Sequence, residues 1–207
     1  MMNRPHQFPG FLIAIEGIDG AGKTTQAKQL QHGLQSPNLS VALTQEPTSG
    51  KWGQVLKDSA RTGRLALAEE IETFIKDRQE HVENFINPAL AQGQVVIVDR
   101  YYFSSMAYQG AGGVDPYEIM WRNEIFAPEP DLLVLLDISP QTGLERIKAR
   151  GDQANLFEKN ATLKKARQIF LSIQKPYLVK VAGRREPVAI TDLLIRKFLT
   201  SYGNRTN

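Results

Sequence analysis

Phe11-Leu-Ile-Ala-Ile-Glu-Gly-Ile-Asp-Gly-Ala-Gly-Lys-Thr-Thr25 runs from a short apolar stretch through a glycine-rich turn into Gln26-Ala-Lys-Gln-Leu30, which has helical character. Within it, Gly17 to Thr24 fills the pattern G-x-x-x-x-G-K-[ST]. The order strand, loop, helix is the context that a phosphate-binding loop requires. The residue types have physical reasons. Glycines allow backbone N–H groups to turn inward and approach phosphates closely. The helix N-terminus adds partial positive charge. A lysine at position 23 reaches β- and γ-phosphates, and the Thr24 hydroxyl ligates Mg²⁺. The alternative is a glycine turn that only caps a helix. The stretch predicts binding of a nucleoside triphosphate by Gly17, Ile18, Asp19, Gly20, Ala21, Gly22, Lys23, Thr24 and Thr25.

Around that loop the apolar runs Val41–Leu43, Val95–Val98, Leu132–Leu136 and, weakly, Val188–Ile190 repeat the look of Phe11–Ile15. Runs without alternation mark strands buried on both faces, the habit of parallel sheets. Helical patterns lie between them. The expected fold is therefore α/β: a three-layer nucleotide-binding arrangement with a five-stranded, mostly parallel sheet and helices on both faces. The 207 residues suit one domain, 1–207, which buries about 70% of its extended-chain surface on folding.

Composition narrows the partners. Lys and Arg exceed Asp and Glu by 25 − 22 = 3, too little to argue for nucleic acid or a membrane surface. The chain has no cysteine, so a disulfide framework, a thiolate metal site and a cysteine nucleophile are excluded. Residues 1–10 are polar, and the apolar run after them is too short for a signal-peptide core or a membrane span. A soluble, cytoplasmic protein is expected. His6, His32 and His81 are scattered without metal-ligand spacing.

In parallel sheets ligands bind beyond the carboxyl ends of the strands, here Glu16-Gly17, Glu46-Pro47, Asp99-Arg100 and Asp137. Asp99 after a buried strand suits a Mg²⁺ site with Thr24, either directly or through water. A helix N-cap is the plainer alternative. On a helix from about Ala66 to Ala91, Ile71, Phe74, Ile75, Val82, Phe85 and Ile86 form one apolar stripe, with Arg78 inside it. A buried arginine is costly unless something pairs with it. Phe74 and Arg78, four residues apart, point the same way and suit a planar base, although a core Phe with an Arg paired to Glu is equally open.

Val98-Asp-Arg-Tyr-Tyr-Phe-Ser-Ser-Met-Ala-Tyr-Gln109 resembles the thymidylate kinase signature D-R-[YFH]-x-x-S-x-x-A-[YF]-Q. The order of the phosphate loop, Thr44-Gln-Glu-Pro47, the Phe74 helix, a basic stretch before Gly151 and Leu156-Phe-Glu158 is similar too, from about Phe11 to Thr200. The resemblance implies an ATP-dependent kinase, with Mg²⁺ as cofactor, making dTDP from dTMP. It also implies a homodimer. Asp19 would hydrogen-bond the acceptor's 3′-hydroxyl, Phe74 stack on thymine and Arg78 donate to O4. Arg100 would hold the 5′-phosphate, and Glu46, Ser104 and Gln109 would line the site. Tyr108 would crowd a ribose 2′-hydroxyl. A kinase of another pyrimidine nucleotide such as dUMP, or a non-catalytic nucleotide-binding switch, are the competing expectations.

Two polyanions meeting in a low-dielectric site need cations along the line of transfer. Lys23, Mg²⁺ and Arg100 supply three. Some family members carry a further arginine inside the phosphate loop, where this chain has Gly20. Arg146-Ile-Lys-Ala-Arg-Gly151 is then the source expected, with Arg150 catalytic and Arg146 helping or packing on adenine in a lid at about 146–160. Two departures bear on the acceptor: Gln45 stands where the family often has arginine, and Ala111-Gly-Gly113 lacks a nearby arginine that is frequent there. No general base is expected, because a phosphate monoester dianion is already a nucleophile.

Overall fold

Every unbroken apolar run but the last becomes a strand. The computed structural model describes residues 8–63, 65–151 and 156–206, the side chains of 156–159 and 204–206 excepted. Its strands are β1 (Phe11–Glu16), β2 (Val41–Gln45), β3 (Val95–Asp99), β4 (Leu132–Asp137) and β5 (Leu178–Ala182). They form one sheet in the order β2-β3-β1-β4-β5. All pairings are parallel, as in Ile13 beside Ile97 and Ile15 beside Val134, so the sheet is wholly rather than mostly parallel. β1 and β3 are buried at every position, which requires cover on both faces.

The fifth strand is not where the sequence suggested. Val188–Ile190 lies in a helix that opens at Pro187, a residue whose fixed φ and missing N–H suit a first helical position. The true β5 was hidden because Lys180 interrupts Leu178, Val179 and Val181. At a sheet edge that lysine reaches out to donate to the Leu171 carbonyl at 2.9 Å.

Helices α1 (Lys23–Leu34), α2 (Lys51–Thr62), α3 (Leu67–His81), α4 (Asn87–Ala91), α5 (Tyr102–Ala111), α6 (Pro116–Glu124), α7 (Pro140–Ala149), α8 (Leu156–Ser172) and α9 (Pro187–Thr206) fill the connections. α1 packs on α9, and α5 on α3, α6 and α8. Phe11 of β1 meets Phe198 of α9 edge-on at 5.2 Å between ring centres. Each side chain buried as fully as these contributes roughly 1.5–3 kcal/mol. Connections switch sides at β1, with β2 and β3 to one side and β4 and β5 to the other, which opens a crevice at the carboxyl ends beside β1.

The long helix expected at 66–91 runs without a break from Leu67 to Ala91 but changes period. Between α3 and α4, Val82–Ile86 forms a π-helical turn. That extra residue per turn rotates the side chains after His81, so Phe85, expected on the core stripe, is 39% exposed and stacks on His81 at 5.8 Å. Before the turn the stripe holds, with Ile71 and Ile75 buried and Phe74 half-buried beside them.

Gly20 fixes how α7 meets the phosphate loop. Its φ of +82° is left-handed, and a Cβ there would lie 2.5 Å from the Gly143 carbonyl oxygen. No arginine fits at this position on this backbone. Gly20→Ala is expected to destabilise the fold by roughly 1–3 kcal/mol, read by urea melts.

Candidate active site

The phosphate loop, Arg100 and the end of α7 enclose a cavity of about 250 Å³. Asp19, Gly20, Gly22, Lys23, Thr24 and Thr25 line one side. Arg100, Ile147 and Arg150 line the other. Lys23 Nζ donates to the Gly17 and Ile18 carbonyls at 2.9 and 3.0 Å, which folds the side chain over its own loop. Burial, and secondarily the charge of Arg100, brings its ammonium down to about 7.

Arg146 does not point into this cavity. Its two terminal nitrogens donate to the Gly20 and Gly183 carbonyls, each at 3.1 Å, clasping the loop to the turn after β5. Arg150 follows one turn later, as the C-cap of α7, and Gly151 at φ +89° ends the helix as expected. Residues 152–155 of the expected lid lie outside the described residues, as do the side chains of Leu156–Glu158.

The oxygen set suits a hard cation. Thr24 Oγ1 donates to Asp99 Oδ2, while Asp99 Oδ1 is buried without a hydrogen-bond partner among the described residues. An orphaned carboxylate oxygen beside a hydroxyl fits Mg²⁺. Among the described residues no group of three His, Asp or Glu converges on a metal. One carboxylate and one hydroxyl with phosphates and water is the usual way Mg²⁺ is held in phosphoryl-transfer sites.

Arg100 has a φ of +69°, which an L-residue adopts only when its surroundings impose it. Glu16, from the end of β1, supplies that constraint. Its carboxylate accepts from Tyr101 N at 2.7 Å, Ser104 N at 3.0 Å and Ser104 Oγ at 2.6 Å, capping α5 from another element. Burial raises the Glu16 carboxyl to about 7 against these hydrogen bonds. The guanidinium so placed binds Asp19 Oδ1 and lies over the Tyr108 ring at 5.8 Å. Burial pushes the Asp19 carboxyl up, but Arg100 and then Lys23 hold it below the usual carboxylate range. Tyr108 accepts a hydrogen bond from Asp19 N at 2.9 Å, and burial raises its phenol.

Asp19 and Arg100 also belong to a second cavity of about 210 Å³. Glu46, Phe74, Arg78, Ser104, Tyr108 and Gln109 line it, all expected from the sequence at an acceptor site. Glu70, Tyr101 and Ser105 join them. Arg78 is buried, and three of its nitrogens are held from behind: Nε by Glu46 Oε2 at 2.7 Å, Nη1 by Asn123 Oδ1 at 2.6 Å and Nη2 by Ser105 Oγ at 3.1 Å. The arginine thus pairs with a glutamate and still lines a cavity. Glu46 also receives His81 Nδ1 at 3.0 Å, and His81 Nε2 meets Thr44 Oγ1 at 2.7 Å. Burial works against the Glu46 carboxylate, but Arg78 and then His81 keep it ionised below its ordinary range. Gln45 is exposed at the end of β2 and takes no place in either cavity.

A family model for thymidylate kinase matches residues 15–189. The chain belongs to the thymidylate kinase family. A curated thymidylate kinase of Xanthomonas euvesicatoria is 54% identical over 167 residues, covering 81% of this chain and 74% of its own. Another, of Akkermansia muciniphila, is 49% identical over 183 residues, covering 87% and 88%. Xanthomonas campestris has one 53% identical, at 81% and 73%. The chain is thus an ATP-dependent nucleoside monophosphate kinase, a transferase of the thymidylate kinase type.

Within this thymidylate kinase framework, sequence reasoning missed several supports. Glu16 was visible at a strand end but carried no signal for capping α5. Asn123 and Ser105 sit on helices without periodic distinction. Glu70 offered more: with Phe74 and Arg78 it falls at every fourth residue, on one helix face.

Proposed function

We propose that this chain transfers the γ-phosphoryl group of Mg²⁺-bound ATP to the 5′-phosphate of dTMP, giving dTDP and ADP. One observation carries this: the phosphate-loop cavity and the Phe74–Arg78 cavity abut at Asp19 and Arg100. Two nucleotides bound there meet with their phosphates end to end, as direct transfer requires. Donor phosphates would rest on the loop amides and Lys23, with Arg150 across the cavity. Thr24 and Asp99 would hold Mg²⁺, which supplies charge neutralisation on the phosphate oxygens. Arg100 would release Asp19 for the acceptor's phosphate, freeing the Asp19 carboxylate for the sugar 3′-hydroxyl. Phe74 would stack on the base, Arg78 donate to O4, and Tyr108 crowd the 2′ carbon. Residues 146–160 would act as a lid within a single domain.

The same reading includes a homodimer. Tyr117 and Trp121 of α6 and Ile125, its C-cap, are spaced four residues apart and are 53%, 62% and 67% exposed, and a second copy would cover them. Light scattering at micromolar concentration checks this.

The activity test is a coupled assay for ADP. Mg²⁺-dependent ADP release is expected to rise on adding dTMP, with dUMP poorer by about 1–3 kcal/mol for one methyl group and dCMP poorer still. ADP release indifferent to dTMP would sink the proposal.

A further inference from the structure

We infer that Glu70 is a positioning residue that sets base specificity, by fixing which end of the Gln109 amide faces the acceptor cavity. This rests on dTMP being the acceptor. Glu70 and Gln109 are 7% and 2% exposed and both line the cavity. Gln109 Nε2 donates to Glu70 Oε1 at 2.8 Å. A carboxylate offers only acceptors, so it holds the NH₂ end of an amide and never the oxygen. The amide therefore cannot turn over, and Gln109 Oε1 is left buried without a hydrogen-bond partner among the described residues. A buried acceptor in that position costs stability that a ligand N–H returns on binding.

The consequence is a two-point code. Arg78 keeps one Nη1 N–H that no neighbour takes, and Gln109, lining the same cavity, carries in Oε1 the acceptor without a partner among the described residues. Thymine and uracil carry a carbonyl oxygen next to a ring N–H and match both. Cytosine carries an amino group next to a bare ring nitrogen, so donor meets donor and acceptor meets acceptor. Were the amide free to exchange its ends, its NH₂ group would satisfy the cytosine ring nitrogen. Glu70 removes that option although it touches neither reacting atom nor phosphate.

The test compares kcat/KM for dTMP and dCMP in the wild type, Glu70→Gln and Glu70→Met. A glutamine at 70 can itself donate to Gln109 Oε1, and a methionine of similar length offers only a weakly accepting sulfur; both release the amide. The dTMP/dCMP preference is expected to fall about tenfold or more, mainly through a higher KM for dTMP, with the KM for ATP unchanged. A purely structural role for Glu70 would weaken both nucleotides alike and leave the ratio untouched. Thermal melts establish that each variant is folded; Glu70→Met serves if Glu70→Gln is not. An unchanged ratio in a folded variant overturns the inference. Wild-type enzyme that ignores dTMP would instead remove the proposed function, which separates the two failures.

Discussion

Arg150→Ala is expected to lower kcat by about 10³–10⁵-fold while shifting the KM of either nucleotide only a few fold. Phosphoryl transfer leaves little for a protein to do except hold reactants in line and neutralise charge as it moves. The other cations near the cavity are committed elsewhere. Lys23 lies along the loop it serves, Arg100 is held to Asp19, and Arg146 is spent on the Gly20 and Gly183 carbonyls. Arg150 stands at the rim of the donor cavity with no partner among the described residues. Gly20 closes the alternative route, since its backbone leaves no room for a loop arginine. Steady-state and single-turnover rates with saturating ATP and dTMP make the measurement. Arg150→Lys should recover part of the loss, because a point charge remains while the planar fork is gone. A kcat for Arg150→Ala near that of the wild type would place the decisive cation elsewhere.

The strands buried on both faces could be read directly, because a parallel sheet admits only apolar side chains on either surface and so writes unbroken runs. The edge strand β5 could not, since Lys180 needs to be buried on neither side. The phosphate loop was legible for a related reason: its glycines and lysine are demanded by one ligand geometry at fixed spacing. The second cavity was legible only where a residue lines it. Phe74 and Arg78 show up as an aromatic and a charge on one helix face, but the groups that orient Arg78 come from the residue after β2, from α5 and from α6. Their sequence separations of 32, 27 and 45 residues are set by the topology and leave no local pattern. The π turn at Val82–Ile86 was equally silent, because its five residues would sit as readily in an α-helix.

Arg78→Ala is expected to cost two things that a single assay would confuse. It removes donors from the base cavity, so kcat/KM for dTMP should fall by about two orders of magnitude or more, with ATP binding retained. It also leaves the Glu46 carboxylate buried beside only His81, a loss of roughly 3–5 kcal/mol in folding stability, because an uncompensated buried charge is what makes breaking such pairs costly. Adding Glu46→Gln separates the two. The glutamine removes the stranded charge while its amide oxygen keeps an acceptor for His81. The double variant should therefore regain much of the stability in urea melts and regain none of the dTMP selectivity. Recovery of both together would mean that Arg78 acts only through the fold, and the base would have to be read by Gln109 and Phe74 alone. Loss of ATP binding in either variant would instead place Arg78 in communication with the phosphate loop, through the Glu16-capped start of α5 that carries Ser105 on one side and Arg100 on the other.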